Sequence, residues 1–279
     1  MSRSVLITGA SSGIGKASAR RFQAEGWNVI ATMRSPELET ELNALDRVLV
    51  TRLDLLDVSS IGIAVDAGLR RFGRIDALLN NAGYGAYGPL EATPLEKVRR
   101  QFDVNVVGVL AATQAVLPHF RRQRSGVIVN VSSIGGKITF PLGSLYHGTK
   151  FAVEGLSEAL HYELLPIGVR VKIVEPGMVK TDFAGRSFDF SNDEGLSEYQ
   201  PLVGAFMSAL GPMATHASPA ERVADVIYRA TVDESDQLRY EAGPDAEHML
   251  AARRAADDAT FIGGVRAQFG LSGVRIPGS

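Results

Sequence analysis

Residues 4–15 read SVLITGASSGIG, and this segment decides the fold of the chain. The apolar run that ends at Ile7 is typical of a short strand, and a helical pattern follows the glycines and continues towards Gly26. Glycines between a strand and a helix let the backbone approach a phosphate closely, and the free amides at the start of the helix attract its negative charge. The segment therefore predicts a turn that binds the pyrophosphate of a dinucleotide.

A second informative stretch, residues 126–150, reads GVIVNVSSIGGKITFPLGSLYHGTK. Its apolar, β-branched start is typical of a strand buried on both faces, and this run ends at Ser132 and Ser133. Tyr146 and Lys150 follow in a helical segment, four residues apart and therefore on one face. A hydroxyl, a phenol and an ammonium that meet at one point form a proton-transfer site, and the cation is expected to lower the pKa of the phenol. A Tyr-x-x-x-Lys pair alone is also common on exposed helices, so the glycine turn is what favours the chemical interpretation.

Three motifs in this order resemble those of the short-chain dehydrogenase/reductase family: TGASSGIG at residues 8–15, NNAG at residues 80–83 and YHGTK at residues 146–150. The resemblance covers roughly residues 4–230 and extends somewhat to hydroxysteroid and retinol dehydrogenases. It implies an α/β fold, namely a Rossmann-like, doubly wound, predominantly parallel sheet of about seven strands with helices on both faces. It also implies hydride transfer between NAD or NADP and a carbonyl or alcohol carbon.

Apolar runs separated by helical segments supply the strands that such a sheet needs. We expect them at Ser4–Ile7, Asn28–Arg34, Val48–Leu53, Ile75–Leu79, Gly126–Val131, Val169–Val174 and, at an edge, Gln237–Tyr240. A long helix is expected to begin at Thr93-Pro94 and to end before Pro118. Regular patterns fade between residues 182 and 219, and one alanine-rich, charged helix is expected between residues 244 and 270.

By resemblance, the catalytic set consists of Asn105, Ser133, Tyr146 and Lys150. The family's serine stands thirteen residues before its tyrosine, which selects Ser133 over Ser132. Ser133 is implied to hold the reacting oxygen, Tyr146 to transfer its proton, and Lys150 to hold the ribose of the cofactor. The main chain of Asn105 is implied to hold a water that links Lys150 with solvent. The apolar neighbours of Asn105 favour its burial, and a surface asparagine is the alternative.

NADP(H) is the expected cofactor, in preference to NAD(H). No acid stands at residues 32–35, and Arg34 is well placed to pair with a 2′-phosphate, assisted by the hydroxyl of Ser12. A solvated loop charge is the alternative for Arg34, and a helix cap or loop acid is the alternative for Asp54. The other implied cofactor contacts lie in the glycine turn, at strand ends and in the catalytic pair: Gly9, Ser11, Gly13, Ile14, Gly15, Asp54, Leu55, Asn81, Ala82, Gly83, Tyr146, Lys150, Pro176, Gly177, Val179 and Thr181.

Aromatic residues indicate a fairly hydrophobic small-molecule substrate with a carbonyl or alcohol group. Tyr84 and Tyr87 lie in a glycine-rich loop just after a strand, and further aromatics are scattered through residues 182–219. We expect that segment to be a lid, with packing between short helices as the alternative. Residues 244–279 form an extension that covers the pocket or joins a subunit interface. The whole chain, residues 1–279, is expected to form a single domain.

The amino-acid composition argues against several other classes of protein. The 279 residues include 29 basic and 31 acidic ones without a basic stripe, so no nucleic-acid partner is expected. The absence of cysteine excludes disulfides and thiolate metal sites, and the five histidines show no metal-ligand spacing, so no metal is expected. Nothing approaches 18 consecutive apolar residues, which predicts a cytoplasmic protein without membrane contact.

Two alternative functions and the assembly state complete the expectations. A dinucleotide-binding regulator that has lost turnover is possible in principle, because a fold does not dictate a function. Nucleotide-sugar epimerase or dehydratase chemistry is the other alternative, although the chain after Lys150 leaves little room for the larger substrate domain of such enzymes. By resemblance, a homodimer or homotetramer is expected.

Overall fold

The strands and helices come from a computed structural model that describes residues 2–181, 187–215 and 217–272. The strands are β1 (Ser4–Ile7), β2 (Asn28–Met33), β3 (Val48–Arg52), β4 (Ala77–Asn80), β5 (Gly85–Tyr87), β6 (Gly126–Val131), β7 (Val169–Pro176), β8 (Val179–Lys180), β9 (Phe188–Phe190), β10 (Ser218–Pro219) and β11 (Arg239–Ala242). The helices are α1 (Gly13–Ala24), α2 (Val58–Phe72), α3 (Leu95–Phe102), α4 (Gly108–Gln123), α5 (Ser144–Leu164), α6 (Gln200–Thr215), α7 (Ala220–Val232), α8 (Pro244–Ala255) and α9 (Asp258–Gln268).

Seven strands form one sheet in the order β11-β7-β6-β4-β1-β2-β3, with every pair parallel. The chain runs outward from β1 to β3 and then crosses to β4 on the other side of β1. This reversal of direction makes the gap between β1 and β4 the topological switch point, where ligands bind in such sheets. The predicted Rossmann-like fold is confirmed, and the expected edge strand is present as β11, parallel to β7 and shifted by two residues to Arg239–Ala242.

Helices cover both faces of the sheet because its strands are apolar on both sides. Along β1, Val5 and Ile7 belong to the core on one face, with Phe22 of α1, whereas Leu6 belongs to the core on the other, with Phe120 of α4. Successive side chains of a strand point to opposite faces, so an uninterrupted apolar run satisfies both cores. The two layers hold the carboxyl ends of the strands in a fixed arrangement.

The prediction that a helix ends before Pro118 is wrong. Helix α4 passes through Pro118 and continues to Gln123. Proline removes a backbone hydrogen bond of the helix, but the turn beyond it carries Phe120, which is fully buried against the sheet. We infer that burial of this ring outweighs the lost hydrogen bond.

The segment expected to lack regular structure is more regular than predicted where it is described. Residues 182–186, where the predicted lid begins, lie outside the described residues. Beyond them, β9 pairs with β5, and α6 runs for 16 residues with Val203 and Phe206 buried. Apolar side chains of this segment pack against apolar side chains of the main body. A local sequence pattern does not reveal such long-range contacts.

The C-terminal extension contains two helices, α8 and α9, where one was predicted. Helix α8 ends at Ala255, and Asp257 begins the next helix by accepting a hydrogen bond from the backbone of Thr260 at 2.8 Å. This N-cap separates the two helices. Residues 273–279 lie outside the described residues.

Candidate active site

The glycine turn between β1 and α1 has the shape that a pyrophosphate requires. Gly9 and Gly13 have φ angles of +70° and +52°, which favour glycine. A Cβ at Gly15 would lie 2.2 Å from the carbonyl oxygen of Gly9, so no larger residue fits there. Ser12 precedes the helix, and its side chain makes no capping hydrogen bond. The turn and the helix amides therefore fit the phosphates of a dinucleotide.

The NNAG motif holds the glycine turn in place from the end of β4. The side-chain amide of Asn81 donates to the carbonyls of Thr8 and Gly9 at 3.0 and 3.1 Å. In return, Oγ1 of Thr8 accepts from the backbone amides of Asn81 and Ala82 at 3.0 and 3.1 Å. These four hydrogen bonds connect the segments that follow β1 and β4, at the topological switch point of the sheet.

Several predicted cofactor contacts surround this turn. Arg34 follows β2, is exposed and forms no ion pair with any of the described residues. Asp54 uses its carboxylate to accept from the backbone of Leu56 at 3.1 Å, whereas Asp57 is the residue that caps α2. Thr181 lies beside the turn, since a Cβ at Gly13 would come within 3.0 Å of its methyl carbon. The segment after β7 therefore reaches the predicted phosphate site.

Three residues of the predicted catalytic set meet where β6 ends and α5 begins. The hydroxyl of Ser133 hydrogen-bonds with the phenol of Tyr146, and it also accepts from the backbone of Gly135 at 3.0 Å. Nζ of Lys150 lies 5.9 Å from the centroid of the Tyr146 ring and donates to the carbonyl of Val131 at 2.9 Å. This places a hydroxyl, a phenol and an ammonium around one point.

The pKa of the Tyr146 phenol is shifted in the direction opposite to the expected one. Burial raises the pKa of Tyr146, and the hydrogen bond from Ser133 opposes this increase only in part. Burial also lowers the pKa of Lys150 to about 8. Both shifts arise because the enclosed site disfavours charge. The expected lowering of the Tyr146 pKa by Lys150 is not found in the protein alone.

Asn105 lies in a π-helical turn, Asp103–Val107, between α3 and α4. Its side chain is buried, accepts from the backbone amide of Tyr84 at 3.1 Å and donates to the Tyr84 carbonyl at 2.8 Å and to Oγ1 of Thr149 at 3.1 Å. The predicted burial is confirmed, although its neighbour Val107 is exposed. Such π-helical turns occur frequently at functional sites.

An aromatic wall, formed by Tyr87, Phe188, Phe206 and Phe269, extends from the ring of Tyr146. The ring of Tyr87 stacks on Tyr146 with centroids 5.3 Å apart, and Phe206 of α6 stacks on Tyr87 at 5.8 Å. Phe269, just after α9, stacks on Phe206 at 6.2 Å and is itself buried. Tyr87 was a candidate from sequence, whereas Phe269 was missed because no motif links the extension with the site.

His147 supports the loop before α5 and does not face the reacting groups. Its Nε2 accepts from the backbone of Phe140 and its Nδ1 lies 3.0 Å from the carbonyl of Gly135, to which it donates. Burial lowers its pKa, which favours this neutral form. These two hydrogen bonds give His147 a structural role in the loop before α5.

Comparison with known proteins assigns this arrangement to a family. The family model described as short chain dehydrogenase matches residues 3–192. An uncharacterized oxidoreductase of Schizosaccharomyces pombe is 47% identical over 244 residues, which cover 86% of this chain and 100% of the relative. The whole C-terminal extension, residues 244–279, therefore lies outside the residues that the family model matches.

Solved structures show the same fold. A short-chain dehydrogenase from Streptomyces avermitilis superposes with a TM-score of 0.83 at 33% identity, covering 98% of each chain. ElxO with NADP bound has a TM-score of 0.71 at 27% identity, covering 86% of this chain and 98% of its own. A short chain dehydrogenase/reductase from Burkholderia phymatum in complex with NAD has a TM-score of 0.78 at 26% identity, covering 91% of this chain and 92% of its own.

Proposed function

The chain belongs to the short-chain dehydrogenase/reductase family, and on that premise we propose that it is an NADP(H)-dependent enzyme that interconverts a carbonyl and an alcohol. The observation that carries the proposal is the meeting of Ser133, Tyr146 and Lys150 at the carboxyl end of β6. A phenol hydrogen-bonded to a serine, with an ammonium close by, can transfer a proton to a carbonyl oxygen.

Each residue has a separate task in the proposed reduction. Ser133 donates a hydrogen bond to the carbonyl oxygen and orients it, and Tyr146 transfers its phenolic proton to that oxygen. The ammonium of Lys150 stabilises the phenolate that remains, and it holds the ribose. The bound nicotinamide supplies the hydride when it is present. The main chain of Asn105 holds a water that links Lys150 with solvent, while its side chain ties this turn to Thr149 on α5.

The preference for NADP(H) rests on charge at the end of β2. Arg34 is exposed there, carries no ion pair among the described residues, and has no acid next to it in sequence. A guanidinium in this position can bind a 2′-phosphate through two parallel hydrogen bonds. NADP is bound by ElxO and NAD by the Burkholderia phymatum protein, so this residue, not the family, supports the choice.

A fairly apolar substrate is supported by the aromatic wall. The ring of Tyr87 lies next to Tyr146, and the rings of Phe188 and Phe206 lie next to Tyr87. A substrate that reaches the phenol therefore approaches a group of aromatic rings. Burial of such a surface favours apolar ketones or aldehydes over small polar ones. Of the predicted lid, the described residues 187–215 carry Phe188 and Phe206 of this wall, and we propose that they open for substrate entry and close for reaction.

The deciding experiment is an NADPH and NADH oxidation screen against carbonyl compounds that range from small ketones to steroids and retinal. Wild-type protein is expected to oxidise NADPH with apolar ketones or aldehydes. Tyr146→Phe is expected to lose turnover by about 10²–10⁴-fold, while NADPH binding, followed by cofactor fluorescence, stays within about twofold because the phenol contributes little to affinity. Near-full activity in this variant would refute the mechanism.

The proposals on assembly and location rest on exposed apolar residues and on where NADPH is available. Val107 beside α4 and Phe151 on α5 are exposed apolar residues, consistent with a homodimer or homotetramer that covers them. Among the described residues, no helix has the length and apolarity that crossing a bilayer needs. We propose a cytoplasmic location, where NADPH is available.

A further inference from the structure

Gln101 is a fully buried glutamine whose side chain holds the backbone of β5. It lies on α3 and is 0% exposed. Its side-chain oxygen accepts from the backbone amide of Ala86, and its side-chain nitrogen donates to the carbonyl of Tyr84 at 2.9 Å. Both partners lie in or next to β5, the strand that ends at Tyr87. Because a buried amide is costly when its hydrogen bonds are broken, Gln101 fixes the position of this strand.

Lys97 lies one helical turn before Gln101, on the same face of α3. Its ammonium forms an ion pair with Asp189 of β9 at 2.7 Å and donates to the hydroxyl of Ser191 at 3.2 Å. Strands β5 and β9 pair in parallel, with Asp189 opposite Ala86. One face of α3 therefore holds both strands of this small sheet.

The small sheet carries three rings, Tyr87, Phe188 and Phe190. The ring of Phe188 lies against Tyr87 with centroids 5.1 Å apart, and Phe190 stacks on Phe188 at 5.9 Å. Phe206 of α6 stacks on both Tyr87 at 5.8 Å and Phe190 at 6.3 Å. Since packed rings are displaced together, the position of the small sheet decides where the aromatic wall lies relative to Tyr146.

A chain of hydrogen bonds connects this support with the helix that carries Tyr146. The carbonyl of Tyr84 accepts from the side chain of Asn105 at 2.8 Å as well as from Gln101. Asn105 also donates to the hydroxyl of Thr149, which in turn donates to the backbone carbonyl of Tyr146 at 2.8 Å. The small sheet and the phenol are therefore held in fixed positions relative to each other.

We propose that Gln101 and Lys97 are positioning residues that hold the aromatic wall against Tyr146 and thereby make the site select carbonyl compounds with a large apolar substituent. The inference rests on the proposed reduction of a carbonyl at Tyr146. It predicts that loss of this support raises the KM for such compounds much more than it changes kcat.

The kinetic test compares acetone with the apolar ketone or aldehyde that has the highest kcat/KM in the NADPH oxidation screen. Gln101→Met keeps the length of the side chain and removes both hydrogen bonds. The KM for the apolar compound is expected to rise about tenfold, whereas kcat changes by less than about threefold, because the reacting groups keep their places. The KM for acetone, which is too small to contact the whole wall, should change far less.

Gln123→Met is the matched control for this substitution. The side chain of Gln123 also donates to a backbone carbonyl, that of Ser125 at 3.1 Å. It lies at the end of α4, next to the start of β6 and therefore at the edge of the sheet opposite the proposed site. This variant is expected to leave both KM values unchanged.

An NMR measurement follows the wall without any turnover. In protein with ¹³C-labelled tyrosine rings, the Tyr87 signal is assigned with Tyr87→Phe, and its chemical shift reports the stacked neighbours of that ring. Gln101→Met is expected to move this signal towards the value of an unstacked tyrosine, and Gln123→Met should not move it. An unmoved Tyr87 signal in folded Gln101→Met, or an unchanged KM for the apolar compound, would overturn the proposal.

If Gln101→Met does not fold, the ion pair of Lys97 and Asp189 decides, because these side chains are 34% and 37% exposed and can be changed without opening the core. Lys97→Asp is expected to move the Tyr87 signal and raise the KM, and combining it with Asp189→Lys should recover both by restoring a pair of opposite charges. A Lys97→Asp protein without either change overturns the proposal. Failure of the proposed function is distinguishable, because wild-type protein would then show no NADPH oxidation while the NMR shifts persist.

Discussion

Glu175→Gln is expected to remove a pH dependence from the free energy of unfolding. Glu175 lies next to the last residue of β7 and is 2% exposed, and Nε of Arg239 lies 3.7 Å from its Oε1. Burial and the repulsion of Glu154 raise its pKa from 4.5 to about 7. A carboxyl with a raised folded-state pKa adds stability below its unfolded pKa, and this stability is lost as pH rises through the folded value. The relevant window therefore runs from about pH 4.5 to 7.

The magnitude follows from the size of the shift. A rise from 4.5 to about 7 corresponds, at about 1.4 kcal/mol per unit, to roughly 3 kcal/mol lost across the window. Urea unfolding at pH 5 and pH 8 is expected to show most of this loss, about 2 kcal/mol, in wild type. Glutamine does not titrate, so Glu175→Gln should lack this component whatever its absolute stability.

The control is Glu158→Gln, which alters an exposed carboxylate bound to the same Arg239. The pKa of Glu158 is lowered, chiefly by its hydrogen bond with Arg239, so its contribution has the opposite sign and is lost as pH falls. A Glu175→Gln protein with the same difference between pH 5 and pH 8 as wild type would refute the reasoning.

Three further perturbations test the cofactor site and the aromatic wall. Arg34→Asp is expected to weaken NADPH binding by about 10–100-fold, because a charge-assisted phosphate contact is lost, and to leave NADH binding nearly unchanged; unchanged NADPH affinity in a fluorescence titration would count against the assignment. Gly15→Ala is expected to abolish nucleotide binding and lower Tm, since its Cβ would lie 2.2 Å from the Gly9 carbonyl oxygen, whereas Gly62→Ala, with nothing within 4 Å, should do neither. Phe269→Ala is expected to destabilise the protein by about 3 kcal/mol and to widen the range of accepted ketones; an unchanged substrate range would exclude the extension from the pocket.

Much of the fold and of the candidate site could be predicted from local patterns. The shape of the turn that contains Gly9, Gly13 and Gly15 could be predicted, because strand, turn and helix are adjacent in sequence and their geometry is local. The continuation of α4 beyond Pro118 could not be predicted. It depends on the burial of Phe120 against the sheet, whose strands are far from this helix in the sequence. Phe269 reaches the site through its contact with Phe206. The two residues are far apart in the sequence, so no local pattern predicts this contact.

The identity and order of the chemical groups could be read from the amino-acid sequence. Ser133, Tyr146 and Lys150 are positioned by a strand end and one helical turn, which are short-range features. The pKa values of these groups, in contrast, depend on the tertiary structure. Burial raises the pKa of Tyr146 and lowers that of Lys150, and the carboxylate of Glu154 opposes the second shift. Desolvation depends on every group that excludes water from a site, and those groups come from segments far apart in the chain.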